Sequence, residues 1–244
     1  MGRLTEAVKH LVIINIILFI VPQALPELGI QEMFALYFPE SPKFGFWQFA
    51  THMFMHGGFA HILFNMYGLW AFGTPLEHMW GRNKFLFFYL SAGLGAGVIY
   101  TLVNYYQFNE AYELLISNGL TPTEIQAILT SGEYRDSILE FISREDLYKF
   151  WATYHTPAVG ASGAVYGVLV AFGLYYPDSK LALIFFPVPI SAKYFIPLII
   201  LGDLFFGMTK YSVGNVAHFA HVGGALIGFI IAYYWKRNQF QRWN

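Results

Sequence analysis

The sequence predicts an all-α membrane protein, a bundle of six transmembrane helices built as one domain over residues 1–244, and three observations predict it. Hydrophobic residues make up 56% of the chain and charged residues only 12%, against roughly 25% charged in a soluble domain. The apolar residues gather into six runs, each close to the roughly 20 helical residues that cross about 30 Å of hydrocarbon. The polar residues fall mostly between those runs.

The first run, 8–24, has an apolar core too long for a signal peptide and no small-residue cleavage site after it, so it reads as a retained helix. The others are 57–76, 84–106, 158–176, 192–208 and 216–235. Two shorter apolar pieces, 33–38 and 181–190, the latter broken by Pro187 and Pro189, suit segments lying in or near the interface. Lysine and arginine set the orientation. Arg3, Lys9, Arg82, Lys84, Lys180, Lys193, Lys236, Arg237 and Arg242 fall on one side, whereas the other side holds only Lys43 and Lys210 outside one long insert. Both termini are therefore expected in the cytoplasm, and a bacterial inner membrane is the expected location.

The connection at 107–156 is polar and carries its own helix signals, so it reads as a small extracytoplasmic helical insert. Asn109 is a cap in "NEAYELL". Thr121, Pro122 and Glu124 form a capping pattern, and Ser143 with Asp146 repeats the spacing. Two or three short helices are expected there, with Ile138, Leu139, Phe141, Ile142, Leu147, Phe150 and Trp151 resting on the membrane or on the bundle. A charged face of this kind is ordinarily just solvated.

Composition excludes several function classes. The net charge is −1 and there is no long basic run, which argues against a nucleic-acid partner. There is no cysteine, hence no disulfide, thiol nucleophile or thiolate metal site.

The chemistry rests on the few polar residues in and beside the apolar runs: His61, Asn65, Ser162, Asp203, His218 and His221. Each is costly in lipid unless it faces the bundle interior or a water-filled cavity. His61 and Asn65 are one helical turn apart, as are Ser162 and Tyr166. Gly224 and Gly228 follow His221 as a small-residue stripe, and Gly160, Gly163 and Gly167 offer a matching surface on the fourth run, so packing the two faces brings Ser162 to His221. On the expected topology Ser162 lies about five residues, roughly 8 Å, below the outer surface.

A serine in a membrane helix often bonds only the carbonyl one turn earlier. A hydroxyl beside a histidine is instead a nucleophile beside its general base. The tetrahedral intermediate of acyl transfer then needs donors, which His61, Asn65 and the Ser162 backbone N–H can supply. His218 is expected as a wet or interface histidine, His52 and His56 as loop-packing residues, and Asp203 as an acceptor for a neighbour's donor or a residue tuning a gate.

These motifs resemble the rhomboid family of intramembrane serine proteases. "GASGAVYG" carries Ser162 at the family's nucleophile, "AHVGGALIG" carries His221 at its base, and "HGGFAHILFN" carries His61 and Asn65 at its oxyanion positions. "GFWQFATHMFMH" looks like the family's membrane-embedded first outer loop, and Glu77 and Gly81 fit the pattern after the second span. The resemblance implies cleavage of transmembrane segments of other membrane proteins near the outer face of the bilayer, without cofactor or metal. It also implies Tyr166 packed under the histidine ring, and the fifth helix and the loop before the sixth as gates. There are two departures: the insert is long, and Trp47-Gln48 stands where many relatives have Trp-Arg, so a loop-anchoring contact is expected to be absent. With no acid expected beside His221, ring packing by Tyr166 is left to orient the imidazole.

Rival readings are a non-catalytic relative that binds transmembrane helices, and a metal site or transporter built on His52, His56, His61, His218 and His221. The chain lacks H-E-x-x-H. An α/β-hydrolase elbow needs G-x-S-x-G, and Ala164 takes the final glycine position.

Overall fold

The computed structural model describes residues 4–183, 186–209 and 217–239. Arg3, Lys210 and Arg242, residues 184–185 of the second interfacial piece, Val216 at the start of the sixth run, and the expected gate loop at 210–216 lie outside them.

Helix α1 (Glu6–Ala24) begins where another helix caps it. The buried Glu77 accepts the Ala7 N–H at 2.8 Å and the Val8 N–H at 2.9 Å, and the Thr5 hydroxyl also donates to it. A carboxylate there satisfies N–H groups that the helix itself cannot and sits at the positive end of its dipole. A turn at Pro26–Leu28 and Gly29, in the left-handed region at φ 60°, lead into α2 (Ile30–Phe34).

The segment that the resemblance takes as the first outer loop carries α3 (Gln48–Thr51). Its anchor corrects the expectation that Gln48 leaves a contact unmade. The Gln48 amide donates to the carbonyls of Lys43 at 2.8 Å and Met33 at 3.3 Å, while its oxygen accepts the Tyr37 N–H at 3.1 Å. A neutral amide, with donors and an acceptor, ties three parts of the loop together.

The second run is α4 (Phe59–Gly68), a π-helical turn at Leu69–Gly73, and α5 (Thr74–Trp80), without a break. Helix α6 (Arg82–Ser117) is longer than the third run, spanning 36 residues. It passes straight through Asn109, which is therefore not a cap: Glu, Ala and Leu dominate the next two turns, and these residues favour continuing the helix. The chain turns only at Gly119, at φ 89°.

The other two insert signals hold. Thr121 and Glu124 close a capping box on α7 (Pro122–Ser131), and the Thr121 N–H and hydroxyl hold the Glu124 carboxyl below its ordinary pKa. The Ser143 hydroxyl accepts the Asp146 N–H at the start of α8 (Arg144–His155). Ile138, Ile142, Leu147 and Phe150 pack on the far end of the bundle helix α6, one of the two expected places. With Phe108, Leu115 and Phe38 they form a second core, in which Phe108 and Phe150 stack at 4.5 Å.

Helix α9 (Ser162–Tyr175) is followed by a hairpin of β1 (Lys180–Leu183) and β2 (Phe186–Ser191), which pairs Lys180 with Ser191 and Leu181 with Ile190. The chain is thus helical but not all-α. In a two-stranded hairpin both strands are edges, where a proline such as Pro189 is tolerated. Helices α10 (Ala192–Met208) and α11 (His218–Gln239) complete the described elements.

The main core packs α1, α4 to α6 and α9 to α11 around Phe85, Phe88, Tyr89 and Val168, and closes at one end where Trp80 meets Phe88, Tyr175 and Trp235. Helices α1 and α6 are long and apolar enough to cross a membrane. Large apolar side chains stay exposed on the outer faces, including Ile13, Ile17, Val98, Leu102, Leu198, Leu201 and Ile230, far more than an aqueous surface normally shows in one place.

Replacing Glu77 by Ala leaves buried N–H groups of α1 without an acceptor, and should lower stability by about 1–3 kcal/mol. Thermal unfolding in detergent checks this; an unchanged midpoint would mean that α1 docks without the cap.

Candidate active site

Helices α9 and α11 meet backbone to backbone. A Cβ added at Gly224 would lie 1.9 Å from the Gly163 carbonyl oxygen, and one at Gly228 would lie 2.5 Å from the Gly167 Cα. On its other side α9 rests on α6, where a Cβ at Gly163 would lie 2.5 Å from that of Ala96. Gly163, Gly167, Gly224 and Gly228 therefore form the expected stripe.

Gly160 does not belong to it. It precedes the helix, with φ at 126°, and a Cβ there would lie 2.7 Å from His61 Nε2. Glycine is needed both for that backbone conformation and for the space.

The approach to Ser162 is fastened to the first outer loop. Leu36 and Ala158 exchange backbone hydrogen bonds at 2.9 and 2.8 Å, and the Gly160 N–H donates to the His52 carbonyl at 2.9 Å. His52 bonds the Gln48 carbonyl through Nδ1, and His56 is buried with its ring edge-on to His61 at 5.1 Å, so both pack the loop as the sequence suggests. Helix α9 starts at Ser162 itself rather than at residue 158. Its first N–H groups have no acceptor within the helix, which leaves donors and a positive dipole end beside the hydroxyl.

Ser162 Oγ and His221 Nε2 are 2.9 Å apart. The Tyr166 ring stacks on the imidazole, with centroids 4.3 Å apart and planes 13° from parallel. On α4, Asn65 donates one amide hydrogen to the His61 carbonyl at 2.9 Å. An amide nitrogen carries two hydrogens. The position that a Gly160 side chain would fill lies 2.7 Å from His61 Nε2 and 3.5 Å from Ser162 Oγ. Gly160 thus lies between the His61 ring and the Ser162 hydroxyl.

On the far side of His221 Asp203 is the expected acceptor for neighbouring donors, but His218 and His221 depart from expectation. Asp203, on α10, accepts from His221 Nδ1 at 3.1 Å and from His218 Nδ1 at 2.6 Å, and the Tyr166 hydroxyl donates to its other oxygen. His218 is buried against this carboxylate, not wet, and His221 does have an acid beside it. The expectation failed because the sequence does not give the register between α10 and α11. The available signal was that Asp203 is the sole carboxylate in the six apolar runs. Donor atoms of Asp203, His218 and His221 lie within 4.8 Å of one another, close enough to hold a metal ion.

A serine hydroxyl bonded to an imidazole, inside a helical bundle with apolar outer faces, places a nucleophile beside a base. The Rhomboid domain model matches residues 43–122 and 135–238, so the chain belongs to the rhomboid family, and it is a membrane protein. The stretch between the two matches, 123–134, falls inside the insert.

Among similar proteins are an uncharacterized mitochondrial rhomboid protein of Schizosaccharomyces pombe, 28% identical over 78% of this chain and 52% of its own length, and the rhomboid protease GluP of Bacillus subtilis, 27% identical over 76% of this chain and 25% of its own length. A third is the rhomboid protease AarA of Providencia stuartii, 25% identical over 76% and 54%. The chain thus spans a quarter to about half of these relatives.

Substituting Gly224 by Ala drives a methyl group into the Gly163 carbonyl, and overpacking of this kind costs about 1–3 kcal/mol. Both the unfolding midpoint and the reactivity of Ser162 should fall. Retention of both would show that α9 and α11 can separate without moving the pair.

Proposed function

We propose that the chain is an intramembrane serine endopeptidase that cuts transmembrane segments of other membrane proteins near the outer face of the bilayer. The observation that carries this reading is the 2.9 Å contact between Ser162 Oγ and His221 Nε2, in a chain of the rhomboid family. His221 takes the hydroxyl proton as Oγ attacks the scissile carbonyl carbon, then gives it to the leaving nitrogen. Water repeats the steps on the acyl-enzyme. The oxyanion is held by the Asn65 amide, His61 and the Ser162 backbone N–H, an assignment supported by the start of α9 at Ser162, whose backbone N–H has no acceptor within the helix.

The same reading takes α1, α4 with α5, α6, α9, α10 and α11 as six spans of one domain, with the insert outside and both termini in the cytoplasm. The exposed apolar faces and the lysine and arginine distribution support it. The proposed location is a bacterial inner membrane, although the family also includes mitochondrial proteins.

A second reading, a metal-centred site, has the grouping of Asp203, His218 and His221 behind it. A fluorophosphonate probe separates the two. The protease reading expects labelling of the wild type in detergent, none of Ser162→Ala or His221→Ala, and no effect of EDTA; EDTA-sensitive activity without labelling reverses the conclusion. Asn65→Ala removes one oxyanion donor and should slow turnover of a transmembrane reporter about 10²- to 10³-fold. An unchanged rate would place the donors elsewhere.

A further inference from the structure

Asp203 is buried, and it accepts hydrogen bonds from three side chains on two neighbouring helices: His218 and His221 on α11 and Tyr166 on α9. An ionised carboxylate only accepts. Facing Asp203 Oδ1 at 3.1 Å, His221 Nδ1 must therefore carry a proton, and its Nε2 then presents a lone pair to the Ser162 hydroxyl at 2.9 Å. Tyr166 fixes the same imidazole by its face.

We propose that Asp203 is a positioning residue for the reaction: it sets the tautomer and orientation of His221 and stabilises the imidazolium formed when Ser162 gives up its proton. The inference rests on the protease reading and extends its dyad to a Ser162–His221–Asp203 triad. The proton passes from Oγ to Nε2 and on to the leaving nitrogen, while Asp203 takes none. His218 and the Tyr166 hydroxyl hold the carboxylate from its other sides, so that it need not swing away from His221. The three donors also offset the cost of burying its charge.

A purely structural Asp203 would clamp α10 to its neighbours and leave the imidazole chemistry alone. Two measurements on the full chain in detergent tell the roles apart. In the first, the rate of fluorophosphonate labelling is compared for wild type, Ser162→Ala, Asp203→Asn and Asp203→Glu. Asparagine keeps shape and an acceptor but allows the wrong tautomer, so the Asp203→Asn rate should fall about 10²- to 10⁴-fold, with Asp203→Glu recovering part of the loss. In the second, nitrogen-15 histidine NMR, assigned with His221→Gln, should show His221 protonated at Nδ1 in the wild type and at Nε2 in Asp203→Asn.

An unchanged rate in Asp203→Asn overturns the inference, as does a slower rate with the tautomer unchanged. So does a wild-type His221 without a proton on Nδ1, whatever the stability of the variants; a metal ion among these three groups would give that last result. A wild type that does not label overturns the protease reading itself, a distinct failure.

Discussion

The site exists because two helices touch without side chains between them. Gly163 and Gly167 on α9 face Gly224 and Gly228 on α11 so closely that a single methyl would collide with backbone atoms. In a bilayer there is no hydrophobic force to press helices together, and close van der Waals packing of small residues takes its place. That contact fixes the register of the pair. Ser162 immediately precedes one glycine of the contact and His221 lies one turn before another, so the same geometry that docks the helices brings the hydroxyl to the imidazole.

The surroundings repeat one solution at several points, in which a buried polar side chain answers backbone groups of a distant segment. Glu77 closes the start of α1 and Gln48 knits the first outer loop, while a backbone pair, the His52 carbonyl and the Gly160 N–H, ties that loop to the start of α9. The last two act together, because His52 is itself bonded to the Gln48 carbonyl. The loop is thereby tied, through one histidine, to the residues that lead into Ser162. Water cannot satisfy such groups in a membrane interior, so the chain must satisfy them itself.

The features legible in the sequence are the local ones. The six apolar runs, the Thr121 and Ser143 caps and the glycine stripe depend on spacing within one segment, and each of them has its helix. The Asn109 cap failed because a cap is only a preference, and a run of good helix formers carried α6 through it. The hairpin after α9 was hidden in an apolar piece that periodicity alone could not assign. The spacing of Gly160 fits the stripe, whereas its backbone conformation, which spacing does not reveal, puts it in the loop against His61. The Asp203 contacts needed the relative rotation of three helices, which no single segment encodes.

Asp203 also shows why the polar residues here act as a unit. A carboxylate this deep is unfavourable alone, a histidine alone is free to choose either tautomer, and a tyrosine hydroxyl alone is an unmet donor. Together each resolves the others: the acid takes three donors, His221 loses its choice of tautomer, and Tyr166 gains an acceptor while its ring lies flat on the imidazole. Tyr166 therefore bears on His221 twice, by its face and through Asp203. The imidazole is thus restrained both in its plane and across it, leaving Nε2 directed at Ser162. Order at the reacting atoms comes from mutual satisfaction of groups that none of the helices tolerates singly.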